Sequence, residues 1–449
     1  MTAHDRPATA AVETALEQIK AHDATLHAIV RTLDAQAAAE ARRCDDLAAA
    51  GVSLGALHGL PIVVKDIIDV AGAPTESGSL TRKGNPPAAA DAPVVAKLRA
   101  AGAIPIAKVH TVEFAIGGWG TNETVGTPHN PWDKATPRVP GGSSSGTGVL
   151  VGAGLVPAGL GTDTGGSVRI PAAFCGCVGL KTSIGLVSRA GVTPLSGTLD
   201  TVGPLTRDVR TAAEMLAVMQ GPDPADPTTI GAPLVDPLRD LDKGVRGLRL
   251  ARLADDMMPL MTGEVRASFE KAVAMLREAG AIIGTVSLPR TLAEYQRRGG
   301  AISATEAYAT YSDLVDDPNS GMATPNRTRM AVGKAISAAD ITTILRERDA
   351  DIAALPALLD NIDAVILPTA PITAIAIADV NEAEMSMSLH TRIANYYALA
   401  ALALPIDLTP AGLPTSLQIV VRRYDDPLAL RIGAAFEALR GPFRGALEG

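Results

Sequence analysis

Leu60-Pro61-Ile62-Val63-Val64-Lys65-Asp66 is a short apolar run closed by two charges. A run of this length without alternation reads as a short buried strand. Downstream, Asp91 is placed to cap a helix with Pro93 in its first turn. That helix extends to about residue 101, and Gly102 supplies its stop. A second apolar run, Ile104-Pro105-Ile106-Ala107-Lys108-Val109, follows at once. Strand, helix and strand in this order form the repeating unit of an α/β fold. On the N-terminal side, Val12, Ala15, Leu16 and Ile19 fall at helical spacing, and the Ala-rich stretch 32–50 is helical by propensity. On the C-terminal side the alternation continues. Strands are expected at 248–254, 281–286, 364–369 and 416–421, and helices at 262–279, 391–403 and 427–439. The expected fold is therefore α/β, a central mixed, largely parallel, twisted sheet flanked by helices on both faces. Residues 1–449 read as one domain, with the polar, mostly helical stretch 290–350 as a cap over the sheet edge.

Composition narrows the function. The chain has 449 residues, 47% of them apolar and only 3% aromatic. Its core must therefore be built from Ala, Val, Leu and Ile, which suit close packing of helices on a sheet. The net charge is −8 with both signs interspersed and no basic run, which argues against a nucleic-acid partner. There is no apolar stretch long enough for a membrane span. The N-terminus lacks the basic and apolar segments of a secretory signal. The three cysteines, Cys44, Cys175 and Cys177, form no disulfide framework and read as buried packing residues. Together these features point to a cytoplasmic protein.

The stretch 117–205 is different. It is dense in Gly, Ser, Thr and Pro, and too long to be an idle loop in a compact chain. Within it stand Pro140-Gly-Gly-Ser143-Ser144-Ser145-Gly146 and Gly161-Thr-Asp-Thr-Gly-Gly-Ser167-Val-Arg169-Ile-Pro171. Successive flexible residues such as Gly165 and Gly166 can aim their N–H groups at one point, an arrangement suited to a developing oxyanion. A serine hydroxyl needs a base. None of the seven histidines sits in a triad context. A lysine held neutral by burial can serve instead, and Lys65 ends a buried run.

Taken with Gly59 to Asp66, Gly179-Leu-Lys181-Thr182 and Gly412-Leu-Pro414 followed by Leu417-Gln418, these motifs strongly resemble the amidase signature family, over about residues 10 to 440. The resemblance implies a Ser167–Ser143–Lys65 triad, with a cis peptide between Gly142 and Ser143. It also implies an oxyanion hole from the N–H groups of Thr164, Gly165, Gly166 and Ser167, braced by Asp163 and Arg169. Lys181 reads as structural. The implied chemistry is cleavage of amide-type C–N bonds through an acyl-enzyme, with neither metal nor organic cofactor. The substrate would be a small amide or carbamate, and a homodimer is left open. By alignment with the family, Phe114, Ile116, Gly117 and Gly118 and the segment about 310–335 line the pocket, with Met330, Tyr396 and Tyr397 as apolar contacts. The pocket is expected to be fairly open and apolar, as in a urethanase-like member. The sequence departs from the family pattern at Ser145 and Ser416, where glycine is usual.

Two other readings compete. Some family members are glutamine-hydrolysing subunits of a tRNA-dependent amidotransferase. Separately, Gly142-Ser143-Ser144-Ser145-Gly146 satisfies the nucleophile elbow of α/β-hydrolases, with Ser144 as nucleophile. That fold needs a strand before the elbow, where this chain has Pro137 and Pro140, and a histidine after it, for which only His390 remains.

Overall fold

The computed structural model describes residues 7–448, so the signal-peptide reading falls partly on residues outside this range. Eleven strands form one sheet among the described residues. They are β1 (Ile29–Thr32), β2 (Pro61–Lys65), β3 (Ile104–Val109), β4 (Ala158–Asp163), β5 (Val178–Lys181), β6 (Thr201–Thr206), β7 (Arg249–Leu253), β8 (Ile282–Val286), β9 (Ala364–Pro368), β10 (Ala400–Leu408) and β11 (Pro414–Val421). Their spatial order is β1-β3-β2-β4-β6-β5-β10-β11-β9-β7-β8.

The sheet is mixed, as expected, but less parallel than the alternation of elements implied. Parallel pairs occupy the flanks, β3-β2-β4 and β9-β7-β8, while β4-β6-β5-β10-β11-β9 is antiparallel throughout.

Helices α1 (Ala8–Leu26), α2 (Asp34–Ala49), α3 (Pro93–Ala100), α4 (Ser145–Ala153), α5 (Arg169–Cys175), α6 (Val209–Met219), α7 (Gly263–Glu278), α8 (Leu292–Asp316), α9 (Thr324–Ala335), α10 (Ala338–Leu358), α11 (Arg392–Tyr396) and α12 (Asp426–Arg440) surround it. Successive strand residues feed opposite cores, because side chains alternate across a pleat. Ile62, Val64, Leu402 and Leu404 join the cluster under α3, α6, α7 and α12. Val63 and Ala403 join the one under α1, α2, α4 and α5.

One sequence expectation fails for an identifiable reason. The Ala-rich stretch 391–403 is not one helix. It ends at Tyr396, Ala398 takes a left-handed φ of 56°, and the chain re-enters the sheet as β10. A strand buried on both faces has no alternation to betray it, and alanine propensity misleads. The glycine-rich middle is the turn-dense region expected, although α4, β4, α5, β5 and β6 run through it. Its glycines serve close approach: a side chain at Gly203 would collide with the Leu180 carbonyl, and one at Gly152 with that of Cys175. A smaller correction concerns α3. Its cap position is Ala92, while Asp91 accepts from Ala71 N–H at 2.7 Å and pairs with Arg99.

All three cysteines are free and buried. Among the described residues no helix is long and apolar enough to cross a membrane.

Candidate active site

Lys65 stands at the end of β2 with no exposed surface. Its Nζ lies 2.7 Å from Ser143 Oγ and 2.8 Å from Thr162 Oγ1. Burial lowers its ammonium to about 7, against the opposing pull of Asp200 and Asp163. At neutral pH a large fraction is therefore the free amine, which can accept a proton. The Gly142–Ser143 peptide is cis, as the resemblance implied.

Ser167 follows β4 by four residues and is 7% exposed, its exposed side facing a cavity of about 1030 Å³. Its segment is tied to that of Ser143 through the backbone, with Ser144 N–H donating to Ser167 O at 3.2 Å. No hydrogen bond joins the Ser143 and Ser167 hydroxyls in this structure. Such contacts commonly tighten only when substrate is bound.

The turn that carries Ser167 is gripped from below. Asp163 and Arg169, both fully buried, form a two-pronged pair at 2.9 Å on each prong. The remaining Arg169 donors reach Thr391 O, Gln418 Oε1 and Asn395 Oδ1. Burial would raise the Asp163 carboxyl, yet Arg169 holds it well below the usual carboxylate range. Asp163 also accepts from Gly166 N–H at 2.8 Å. This corrects the four-donor oxyanion hole: the Gly166 N–H is spent on Asp163. Thr164, Gly165 and Ser167 are the members of that turn that border the cavity. Gly166 keeps a different role, since its φ of 128° is one that side chains rarely adopt.

Several expected residues lie elsewhere. Ile116, Gly117 and Gly118 do line the cavity. Phe114 does not, because it packs on Tyr311 inside the core. Met330 is fully buried in the same core, and its neighbours Arg329 and Val332 face the cavity instead. Tyr396 and Tyr397 are also packing residues. Tyr396 donates to Asp351, and the Tyr397 hydroxyl is bonded to that of Tyr295 at 2.8 Å. On a five-residue helix, neighbours in sequence point to different sides, and the cavity side belongs to Arg392.

The cavity lining is mainly apolar, as expected, but it also carries charge that was not expected. Arg297, Arg298, Arg329 and Arg392 border it, as do Asp340, Glu347 and Glu382. Helices α8, α9 and α10 supply much of this wall, within the stretch 290–350.

Ser144 is unsuited to be a nucleophile. Its hydroxyl sits between the N–H and C=O of Thr162, at 3.3 Å each. No strand leads into it, and His390 is buried on Pro368 O. Lys181 bonds to the carbonyls of Thr182 and Leu399, a structural placement. Ser145 donates to His110 O. Ser416 sits in an unbroken β11, bonded to the Thr369 hydroxyl and to Leu404 O.

Sequence reasoning missed Thr162, Asp200, Thr391, Arg392 and Asn395. Thr162 carried a signal, since it lies inside the quoted Gly161–Ser167 motif. The α11 residues carried none, because that stretch read as an ordinary helix.

The family described as Amidase matches residues 10–430 of the chain. The chain belongs to the amidase signature family. One curated relative, a glutamyl-tRNA(Gln) amidotransferase subunit of Acidobacterium capsulatum, is 33% identical, with 96% of each chain covered. Among solved structures, one described as "an unexpected vestigial protein complex" that "reveals the evolutionary origins of an s-triazine catabolic enzyme" superposes with a TM-score of 0.92. It is 30% identical and covers 98% of this chain and 97% of that one. The peptide amidase of Stenotrophomonas maltophilia superposes with a TM-score of 0.86 at 29% identity, covering 99% and 96%. The amidase signature enzymes among these neighbours share the single mixed α/β architecture described above.

Proposed function

We propose that this amidase signature protein hydrolyses amide-type C–N bonds through an acyl-enzyme on Ser167. The observation that carries the proposal is the buried, partly neutral Lys65 at 2.7 Å from Ser143, behind a serine that opens on a large cavity. In this reading Lys65 takes a proton from Ser143, and Ser143 takes one from Ser167 as it attacks the carbonyl. The N–H groups of Thr164, Gly165 and Ser167 hold the oxyanion. The proton returns through Ser143 to the departing nitrogen, which leaves as an amine rather than as a far poorer amide anion. Water then frees the acyl group by the same relay. The 290–350 helices act as the cap that closes the cavity over the substrate. Carbamates would be cleaved by the same residues, with loss of carbon dioxide added.

A second reading is favoured by the curated relatives, such as the amidotransferase component from Acidobacterium. In it the chain hydrolyses glutamine as one member of a larger assembly. Both readings share the Ser167 chemistry and differ in substrate and partner.

Two measurements test these readings. A fluorophosphonate probe should label Ser167 and lose its target in Ser167→Ala, and a label on any other serine overturns the nucleophile. The purified chain should then release amine or ammonia from a panel of aryl amides, aliphatic amides, ureas and carbamates. Turnover of L-glutamine alone, with the rest of the panel inert, decides for the amidotransferase reading.

A further inference from the structure

Arg392 opens α11 and is partly exposed, and what exposure it has is toward the cavity. Its guanidinium lies over Gly165, so closely that a side chain there would overlap Cζ and Nη1. It is therefore placed against the same turn that carries Ser167. Thr391, one residue earlier, fixes this placement by donating to Gly165 O at 2.7 Å.

No hydrogen bond or ion pair from the described residues reaches this guanidinium, and its buried Nε has no partner. The other cations on the cavity wall are accounted for. Arg329 is paired with Glu382 and donates to Ile116 O. Arg298 also has a partnerless Nε, but unlike Arg392 it is ion-paired, with Glu347, and Arg297 is exposed to solvent. The acids are also occupied: Glu347 and Glu382 by these arginines, and Asp340 by Ser337 at the start of α10. The nearest buried carboxylate, Asp163, is committed to Arg169. Burial also lowers Arg392 to about 10, so the site holds it charged at neutral pH at some electrostatic cost.

A guanidinium kept charged, short of partners and directed into a cavity awaits an anion from outside the chain. Its planar fork matches a carboxylate with two parallel hydrogen bonds. We propose that Arg392 is the anchor for an anionic substrate. The amide that Ser167 attacks would bear a carboxylate within a few bonds of the scissile carbonyl. This rests on the acyl-transfer reading above and narrows its substrate class to anionic amides. Arg392 is here a specificity-determining residue, distinct from the relay.

The experiment pairs charged and neutral amides of similar length on the full chain: oxamate, malonamate, succinamate and L-glutamine against acetamide, propionamide and butyramide, read by released ammonia. The expected result is a kcat/KM at least tenfold higher for one or more charged members than for its neutral partner. In Arg392→Gln that ratio should collapse at least tenfold, and Arg392→Lys should retain part of it. Neutral members turned over as well as charged ones, or an unchanged ratio in a folded Arg392→Gln, overturns the proposal. Binding gives an arm independent of turnover. Calorimetry on Ser167→Ala should detect at least one of the charged amides, and Ser167→Ala/Arg392→Gln should lose it. Absence of binding by every charged probe also overturns the anchor. Failure of the acyl-transfer reading looks different: the fluorophosphonate label falls on another serine while Arg392-dependent binding persists.

Discussion

Lys65 and Lys108 leave neighbouring parallel strands, and both are fully buried. The register makes them different. Lys65 faces Val109 across the pair and Lys108 faces Val64, so the pleat sends the two side chains to opposite faces of the sheet. Lys108 meets Asp66 at 3.0 Å, together with Ile68 O and the Thr75 hydroxyl. Lys65 meets only the hydroxyls of Ser143 and Thr162. Burial pulls both ammonium groups down, but only Lys108 has a carboxylate in contact to support its charge. Burial alone does not make a base. Burial combined with hydroxyl partners, and no touching carboxylate, is what suits Lys65 to the role of base proposed for it.

The largest expected effect is on turnover. Ser167→Ala and Lys65→Ala should each lower kcat by about a thousandfold or more, with the double variant scarcely worse than either, because groups that act as a unit are not additive. Lys108→Met should instead strip the partner from a buried Asp66. A stability loss of about 3–5 kcal/mol in denaturant unfolding is expected, the scale for breaking one side of a buried pair. The protein that remains folded should turn over at close to the normal rate. A folded Lys108→Met with turnover as low as Lys65→Ala would erase the distinction between the two lysines.

Next is the pH profile. Only the neutral amine of Lys65 can take a proton, so kcat should rise with pH through about 7 and then level. A rate that falls as pH rises from about 6 to about 8 would contradict the assignment. Thr162→Val tests the second hydroxyl on Lys65. Loss of this positioning contact should lower kcat about tenfold, less than the ~10²–10⁴-fold that a whole acid–base group contributes. The smallest effect is expected at Asn395→Ala, which leaves Arg169 and Asp163 each short of one partner. A stability loss of about 1–3 kcal/mol is expected from unfolding curves, with a modest change in turnover.

Legibility from sequence followed locality. The β2–α3–β3 unit was readable because an apolar run, a proline in a first turn and a stopping glycine lie within about fifty residues and act locally. The proposed triad was readable because its motifs are dense and specific. Asp66 adjoins Lys65 in the chain yet does not pair with it, for a reason no linear pattern states: Asp66 turns to Lys108, on another strand. The pocket was misread at Met330, Tyr396 and Tyr397 because the facing of short elements depends on how they pack. Arg392 stayed invisible for the same reason. A charged residue in an apparently ordinary helix signals nothing until Gly165 is seen beneath it.

The brace under Ser167 spans the chain. Arg169 reaches Thr391, Asn395 and Gln418, all far downstream of it in the sequence. During synthesis the N-terminal portion emerges first, so the nucleophile turn has no grip on it until almost the whole polypeptide has left the ribosome. On the proposed chemistry, hydrolytic competence would thereby be coupled to completion of translation. A truncated product that retains Lys65, Ser143 and Ser167 but ends before residue 390 should be inert, and a separately expressed C-terminal segment should restore its activity when the two are mixed.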